Sequence, residues 1–438
     1  VRSVTSQLRI VRLAEWQKRE IEGMELSHED RILADQLARE ESGRLLIDEL
    51  RDRLRVTTRS WVGVVRFSAF EVHVVPKLAG ENLGLVDLIE FAAGLDSLHR
   101  LSAERRLPTE GASLFDLIAL LFAEACERLV RGGLLAGYKE LEDDLPVLRG
   151  RFLASKQVLR RFGRLDRLEC RYDEYLTDIP ENQILRTALA YCAPRVRHPG
   201  VLLRIRRMQT IFAAVCSPAF LDLDRIRRDL VYNRLNDHYR EAHSLAWLIL
   251  DALGVRDLFS AGRSRCFAFL LDMNRLFERF VFLWLRKMLS GTPFRVSSQH
   301  SSPTILWDAN RNCPYTRVVP DLLVERKTQR HKTLPIDAKY ILYDEKPVGT
   351  GNIYQLFLYA FAFGKQTQAG TPAALLIYPA SEVSAGALRL HVRDATGHTG
   401  AEILAIGIHI PTALAEARAG KTGIQGQVIL HTISGYLL

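Results

Sequence analysis

The sequence predicts a multidomain α+β protein: a mixed α/β amino-terminal domain over residues 1–110, a mainly helical middle region over 111–262, and an α/β carboxy-terminal core over 263–438. Three observations predict it. At 438 residues the chain is longer than one ordinary core requires. Runs rich in β-branched and aromatic residues gather over 54–75 and again beyond 294, whereas 113–289 keeps mainly helical spacing. With 47% apolar and 25% charged residues the composition matches soluble globular proteins, so sizeable cores are expected and extended disorder is not.

The elements follow in order. Ser27, with Asp30 three residues on, predicts a capped helix running to about Leu50. Leu54–Trp61 and Val62–Val75 read as successive strands stopped by Pro76, with Trp61, Phe67 and Phe70 in core packing or hairpin contacts rather than in base stacking. Asn82–Leu98 returns to helical spacing. Ser113 and Asp116 mark a helix start and Gly132-Gly133 its end. The turn-rich Tyr172–Pro180 precedes a helix from Glu181 to about Cys192, with Asp178 as the expected cap and Pro180 in the first turn. His198-Pro199-Gly200 interrupts the pattern, and Ser264–Leu289 is expected as one amphipathic helix. Beyond it, Phe294–Gln299, Val318–Glu325, Leu334–Leu342 and Ala373–Tyr378 read as strands and Asn352–Phe363 as a helix. Leu388–Val392 and Ile403–Ile410 read as further strands. No internal repeat or Gly/Ser linker separates the segments.

The net charge of +9 favours a polyanionic partner, because each cation that meets a phosphate releases condensed counterions. The basic residues cluster at Lys156, Arg160, Arg161, Arg164 and Arg167, then at Arg195, Arg197, Arg204, Arg206 and Arg207. They either track phosphates or form solvated helix faces and ion pairs with acids such as Asp166, Glu169 and Asp173. None of the six cysteines lies within three residues of another, which excludes a local Cys-x-x-Cys or zinc knuckle and leaves buried free thiols as the expectation. The most apolar run, Leu117–Ala123, is broken by Glu124 and is too short to span a bilayer, and Val1-Arg2-Ser3 opens no long apolar stretch. A soluble cytoplasmic protein without a membrane partner is expected.

Two short segments carry chemistry. Val318-Val-Pro-Asp321 and Pro335-Ile-Asp337-Ala-Lys339 are both strand-like, and a polar connection, Arg326–Lys332, joins them. If the strands form a hairpin, Asp321 and Asp337 converge at one sheet end, while Asp337 and Lys339, two apart, leave the same face. Two carboxylates suit Mg2+, with Mn2+ as the alternative, and the Ala338 carbonyl offers a third oxygen. Lys339 would hold or deprotonate an attacking water and steady a phosphate. Asp-x-Lys alone is common on solvated strand edges, so the surroundings decide. Gln355 and Tyr359 share a helix face after the third strand. Glu278 sits in an otherwise apolar helix, either paired with Arg275 or Arg279 or facing the site as a further metal or water ligand. His331 is the histidine nearest the site and reads as a polar turn residue.

The order helix(Glu)–strand–strand(Pro-Asp)–strand(Asp-x-Lys)–helix(Gln-x-x-x-Tyr)–strand resembles the PD-(D/E)xK nuclease superfamily. Within it the chain resembles the McrC family over nearly its whole length. Further segments carry that likeness: Ser68–Lys77, Leu148-Arg-Gly-Arg151, Cys170–Tyr175 through Asp178 and Asn182, and Met273–Glu278. The resemblance implies a Mg2+-dependent endonuclease that cuts double-stranded DNA in a modification-dependent restriction complex. Asp321, Asp337 and Lys339 would be catalytic, with Glu278 and Gln355 in supporting roles. It also implies a partner, an McrB-like AAA+ ring whose GTP hydrolysis the chain stimulates through its amino-terminal part and whose own domain reads the modified base. No Gly-x-x-x-x-Gly-Lys-Ser/Thr loop occurs in the chain, so nucleotide hydrolysis would belong to the partner. Two alternatives stand beside this: a catalytically degenerate assembly factor that only stimulates the ring, and a stand-alone Mg2+ nuclease.

Overall fold

The computed structural model describes residues 8–39, 43–77, 82–93, 113–162, 164, 166–217, 222–253, 266–298, 302–341, 343, 347–364, 371–383, 387–420 and 422–437. The chain divides into two compact units. One combines Val1–Glu104 with Leu270–Leu438, and the other is Arg105–Phe269. The amino-terminal segment, expected as a domain of its own, therefore joins the carboxy-terminal core. Arg418 of that core reaches Asp87 at 2.9 Å, and Tyr340 reaches Glu15.

The amino-terminal part of the first unit comprises β1 (Arg9–Ala14), β2 (Lys18–Glu22), α1 (His28–Arg39), β3 (Leu45–Glu49), β4 (Arg53–Thr58), β5 (Trp61–Arg66), β6 (Phe70–Val75) and α2 (Asn82–Ala93). Strands β2, β4 and β3 form one antiparallel sheet; in another, β6 lies between β1, its parallel neighbour, and the antiparallel β5. Ser27 and Asp30 cap α1 reciprocally, as their spacing predicts. The helix nevertheless ends at Arg39, not near Leu50. Gly43 takes φ +59°, and Leu45–Glu49 pairs with β4, whose ladder outweighs the helical propensity of a short Leu-Leu-Ile run. Phe67 and Phe70 stack at 4.8 Å in the core. Residues 94–98 of the expected Asn82–Leu98 helix lie outside the described residues.

The second unit holds α3 (Leu114–Gly132), β7 (Gly137–Leu145), β8 (Arg151–Phe152), α4 (Ala154–Arg161), β9 (Leu168–Leu176), α5 (Pro180–Cys192), α6 (Pro199–Val215), α7 (Leu223–Asp229) and α8 (Arg240–Leu253). Helices α3 and α5 each pack on both α6 and α8, which closes a four-helix ring. Ser113 and Asp116 complete the capping box of α3. Strands β7 and β8 flank β9, so part of Tyr172–Pro180, expected as turns, is strand. Its Arg-Tyr-Asp-Glu-Tyr alternation places Tyr172 inside and Asp173 outside. Asp178 does not cap α5. Its carboxylate accepts from Gln183 Nε2 at 2.8 Å and Ser217 N at 3.2 Å, while Ile179 holds the cap position without a side-chain bond. Asn182 is fully buried and satisfied: its Nδ2 donates to the Leu135 and Thr177 carbonyls, and its Oδ1 accepts from the Tyr239 hydroxyl. His198-Pro199-Gly200 opens α6 rather than interrupting a helix, because proline suits a first turn.

Where one helix was expected over Ser264–Leu289, the structure has β10 (Phe267–Asp272) and then α9 (Met273–Met288). Phe-Ala-Phe-Leu-Leu is a short continuous apolar run, which periodicity alone cannot divide between buried strand and helix. Asp272 caps α9 by accepting from Asn274 N at 3.0 Å. The chain continues through β11 (Phe294–Ser298), β12 (Ser302–Asp308), β13 (Cys313–Val318), β14 (Leu322–Arg326), β15 (Gln329–Ala338), α10 (Thr350–Phe363), β16 (Ala373–Pro379), β17 (Ala387–Arg393), β18 (Thr399–Ile408), α11 (Ile410–Ala419) and α12 (Ile424–Leu437). The sequence reading did not anticipate the last two helices. The main sheet runs β11-β14-β15-β16-β18-β17, with β15, β16 and β18 parallel and the rest antiparallel. Leu356, Tyr359 and Ala360 of α10 cover one of its faces over Leu376, Ile403 and Ala405.

The motif Leu148-Arg-Gly-Arg151 has a structural reason. Gly150 takes φ +66°, and a Cβ there would stand 2.4 Å from the Arg171 carbonyl oxygen and 2.9 Å from Tyr172 Cβ. Arg149 lies over the Tyr172 ring at 4.2 Å. Backbone cannot retreat as a flexible side chain can, so Gly150→Ala is expected to destabilise the chain by about 2–3 kcal/mol. Urea unfolding measures it, and a change below about 0.5 kcal/mol would contradict the close approach.

Candidate active site

The site is built at the open end of the β14–β15 hairpin. The ladder pairs Leu322 with Ile336 and Val324 with Leu334, all four buried on one face of the hairpin. Continued by one residue, this register sets Asp321 opposite Asp337. Val318–Glu325, expected as one strand, is divided: β13 ends at Val318 and β14 begins at Leu322. Pro320, which has no N–H to donate, lies in the gap. Asp321 is held there because its Oδ2 accepts from the Ala338 backbone N–H at 2.9 Å.

Asp337 is fully buried, and neither of its oxygens has a hydrogen-bond donor in good geometry. Lys339 Nζ stands 3.2 Å from its Oδ2 as an ion pair. Burial and the neighbouring Asp321 push the Asp337 carboxyl up to about 7, against the opposing pull of Lys339. Burial works against the Lys339 charge, yet Asp337 and Asp321 outweigh it and raise its pKa. The two side chains therefore leave one strand face, as the two-residue spacing predicts, although Lys339 lies one residue beyond β15.

Glu278 on α9 belongs to the same electrostatic group. Burial first, then Asp321, raises its carboxyl to about 7, while Lys339 lowers it. Neither arginine weighed as its partner pairs with it: Arg275 approaches Asp272 at 3.8 Å, and Arg279 lies over Phe282. Gln355 turns to its own helix, donating from Nε2 to the Tyr359 hydroxyl at 2.8 Å; that hydroxyl donates to the Val319 carbonyl at 2.9 Å. The pair ties α10 to the loop that carries Asp321. Burial raises the Tyr359 hydroxyl, which also feels Asp337, Asp321 and Lys339. Tyr343 was not singled out in the sequence; its hydroxyl accepts from Asn352 and feels Lys339 and Asp337. No spacing rule links a loop tyrosine to the motif, so no sequence signal existed for it.

Among the described residues, no three His, Cys, Asp or Glu side chains gather into a metal cage. What fits a hard cation is smaller: Asp321 and Asp337 at adjoining positions, two Asp337 oxygens without donors, and the Ala338 backbone beside them. Magnesium is ordinarily held in this way, by one or two carboxylates completed by water and phosphate. The His331 side chain lies outside the described residues.

The basic clusters of the second unit are in part paired internally. Lys156 and Arg171 meet Glu142, Arg160 meets Glu169 at 3.6 Å, Arg161 and Arg167 meet Asp144, and Arg204 meets Glu124 and Glu127. Cys126, Cys170, Cys192 and Cys216 are buried thiols. No helix among the described residues is long and apolar enough to cross a membrane.

Comparison with known proteins follows this geometry. The family model described as McrBC 5-methylcytosine restriction system component matches residues 56–379. None of the curated proteins matches the chain. Among solved structures, a chain of the refined half-complex from the tetradecameric assembly of Thermococcus gammatolerans McrB AAA+ hexamers with bound McrC aligns with a TM-score of 0.58 at 18% identity, over 94% of this chain and 99% of that one. A chain of the cryo-EM structure of the Thermococcus gammatolerans McrBC complex aligns at 19% identity and a TM-score of 0.45, over 64% of this chain and 88% of that one.

The raised carboxyls set a pH dependence. Unfolded, Asp337 loses its proton near 3.8; folded, it does so near 7. Between those values the fold holds the extra proton, so stability falls as pH rises. Glu278 acts in the same direction from 4.5 to about 7. Asp337→Asn is therefore expected to exceed the natural chain in stability at about pH 8 in chelator, by on the order of 1–3 kcal/mol, and the gain should shrink toward about pH 4. Urea titrations across that range test it; a difference that does not change with pH would show that Asp337 carries no buried charge.

Proposed function

The chain belongs to the McrBC 5-methylcytosine restriction system component family, and from that premise we propose that it is the DNA-cutting subunit of a modification-dependent restriction complex, hydrolysing phosphodiester bonds of double-stranded DNA with Mg2+. The observation that carries this is the Asp337 carboxylate, fully buried, next to Asp321 across a hairpin and ion-paired with Lys339 at 3.2 Å.

Each residue has a task that its surroundings suit. Asp321, Asp337 and the Ala338 carbonyl would hold the cation, which when bound offsets charge on the reacting phosphate and acidifies a water. Lys339, kept charged by two aspartates, gives the phosphate oxygens a fixed ammonium in a partly desolvated cleft, where such a charge is worth more than in water. Glu278, with its carboxyl raised to about 7, is matched to taking or giving a proton near neutrality. Gln355 and Tyr359 hold the Asp321 loop against α10. The all-oxygen donors suit Mg2+ and would equally take Mn2+.

The partner in this proposal is an McrB-like AAA+ ring that hydrolyses GTP and is stimulated by the chain. The alignment over 94% of this chain with a chain of a McrB–McrC half-complex supports such an assembly.

In the assembled complex with GTP, Mg2+ and methylated DNA, Lys339→Ala and Asp337→Asn are each expected to reduce cutting by about 100-fold or more while leaving GTP hydrolysis stimulated. Equal cutting by Lys339→Ala and the natural chain would discard the site. Stimulated hydrolysis with no cutting by the natural chain would instead establish an assembly factor, and cutting without nucleotide or partner a stand-alone nuclease.

A further inference from the structure

Lys339 stands just beyond the ladders that hold its strand. The β14–β15 register extends to Leu322↔Ile336, and that with β16 to Ala338↔Ile377. Past this point, Lys339 N–H donates to the Ile377 carbonyl at 2.9 Å, and Ile341 N–H closes a tight turn onto the Lys339 carbonyl at 2.9 Å. The next side chain, Tyr340, anchors the stretch from the opposite face. It is 1% exposed, its ring lies 5.8 Å from that of Phe277, and its hydroxyl donates to Glu15 Oε2 at 3.1 Å. Glu15, just past β1, is equally buried, and the same oxygen accepts from Lys77 N–H at 2.8 Å. Phe277 immediately precedes Glu278 on α9. Tyr340 thus ties the residue after Lys339 to the amino-terminal segment through its hydroxyl and to the helix that carries Glu278 through its ring.

We infer that Glu15 is a positioning residue for the phosphodiesterase centre, acting through the Tyr340 hydroxyl to fix the main chain that bears Lys339. The inference rests on the nuclease reading above. Packing alone does not call for a carboxyl here. Taking one out of water costs several kcal/mol, which an apolar side chain of similar size would avoid. Burial has pushed the Glu15 carboxyl up to about 7 despite its bonds to Lys77 and Tyr340. What the carboxyl adds is a directional tether at the point where the ladder stops. Loss of comparable outer-shell partners typically lowers activity by about 10–100-fold.

The test uses the assembled complex and compares the natural chain with Glu15→Ala, Glu15→Gln, Tyr340→Phe, the Glu15→Ala/Tyr340→Phe double variant and Lys339→Ala. Glu15→Ala and Tyr340→Phe should each lower kcat by about 10-fold with KM for DNA unchanged. The double variant should lose no more than Glu15→Ala alone, because the bond that Tyr340→Phe removes is already absent there. Glu15→Gln, which keeps an acceptor for both donors, should stay within about 3-fold. Amide exchange over 337–341 should rise in Tyr340→Phe, which retains the ring and so reports on the hydroxyl even if Glu15→Ala folds poorly. Multiplicative losses in the double variant, or native cutting and native exchange in Tyr340→Phe, would overturn the inference. The two failures are separable. If Lys339→Ala is inactive while Tyr340→Phe cuts normally, only the positioning role falls; if Lys339→Ala cuts like the natural chain, the nuclease reading falls and takes this inference with it.

Discussion

A carboxylate buried in the protein interior, with a single ammonium 3.2 Å away, stays where it is only if something else fixes its backbone. Asp337 is in that position, and the rest of the unit can be understood as the means of holding it there. Its unfavourable burial amounts to several kcal/mol. Against this stand Leu322, Val324, Leu334 and Ile336, each fully buried and each contributing about 1.5–3 kcal/mol. The pairing that buries these side chains also positions Asp337, since a slip of one residue would turn each of them, and Asp337 with them, to the other face. Flanking strands β11 and β16 then deny the hairpin the freedom of an edge.

The charges around Asp337 follow from the same constraint. Burial first, and then the excess of Asp321, Asp337 and Glu278 over Lys339, leaves two carboxyls protonated until about neutral pH, while the nearby aspartates stabilise the ammonium. A group of this kind favours any positive charge brought to it and can exchange protons without large changes in driving force. Tyr359, Gln355 and the Val319 carbonyl contribute no charge. They hold the short Pro320-containing loop, so that Asp321 meets the Ala338 N–H rather than solvent.

Sequence rules recovered what is local. Asp337 and Lys339 could be placed on one face because strand geometry dictates it over two residues, and Gln355 with Tyr359 because helix geometry dictates it over four. The Ser27 and Ser113 caps were legible for the same reason. What failed was decided by partners distant in the chain. Leu45–Glu49 and Leu168–Leu176 are strands because β4 and β7 pair with them, and Phe267–Asp272 reads equally well as a turn of helix until its neighbours are known. Asp178 looked like a cap by position, but Ser217, far along the chain, competes for its carboxylate. Tyr340 and Glu15 lie 325 positions apart, and neither carries a mark in its own neighbourhood of what it meets.

Net charge is the property that most misleads when taken without coordinates. A chain at +9 suggests a broad phosphate footprint, yet five of the ten cations clustered between 156 and 207, Lys156, Arg160, Arg161, Arg167 and Arg204, meet acids of their own unit. Such pairs add little stability, about 0–1 kcal/mol each at the surface. Their larger effect is on the field, because a cation already balanced by a carboxylate at 3 Å releases no net counterion when it approaches a phosphate.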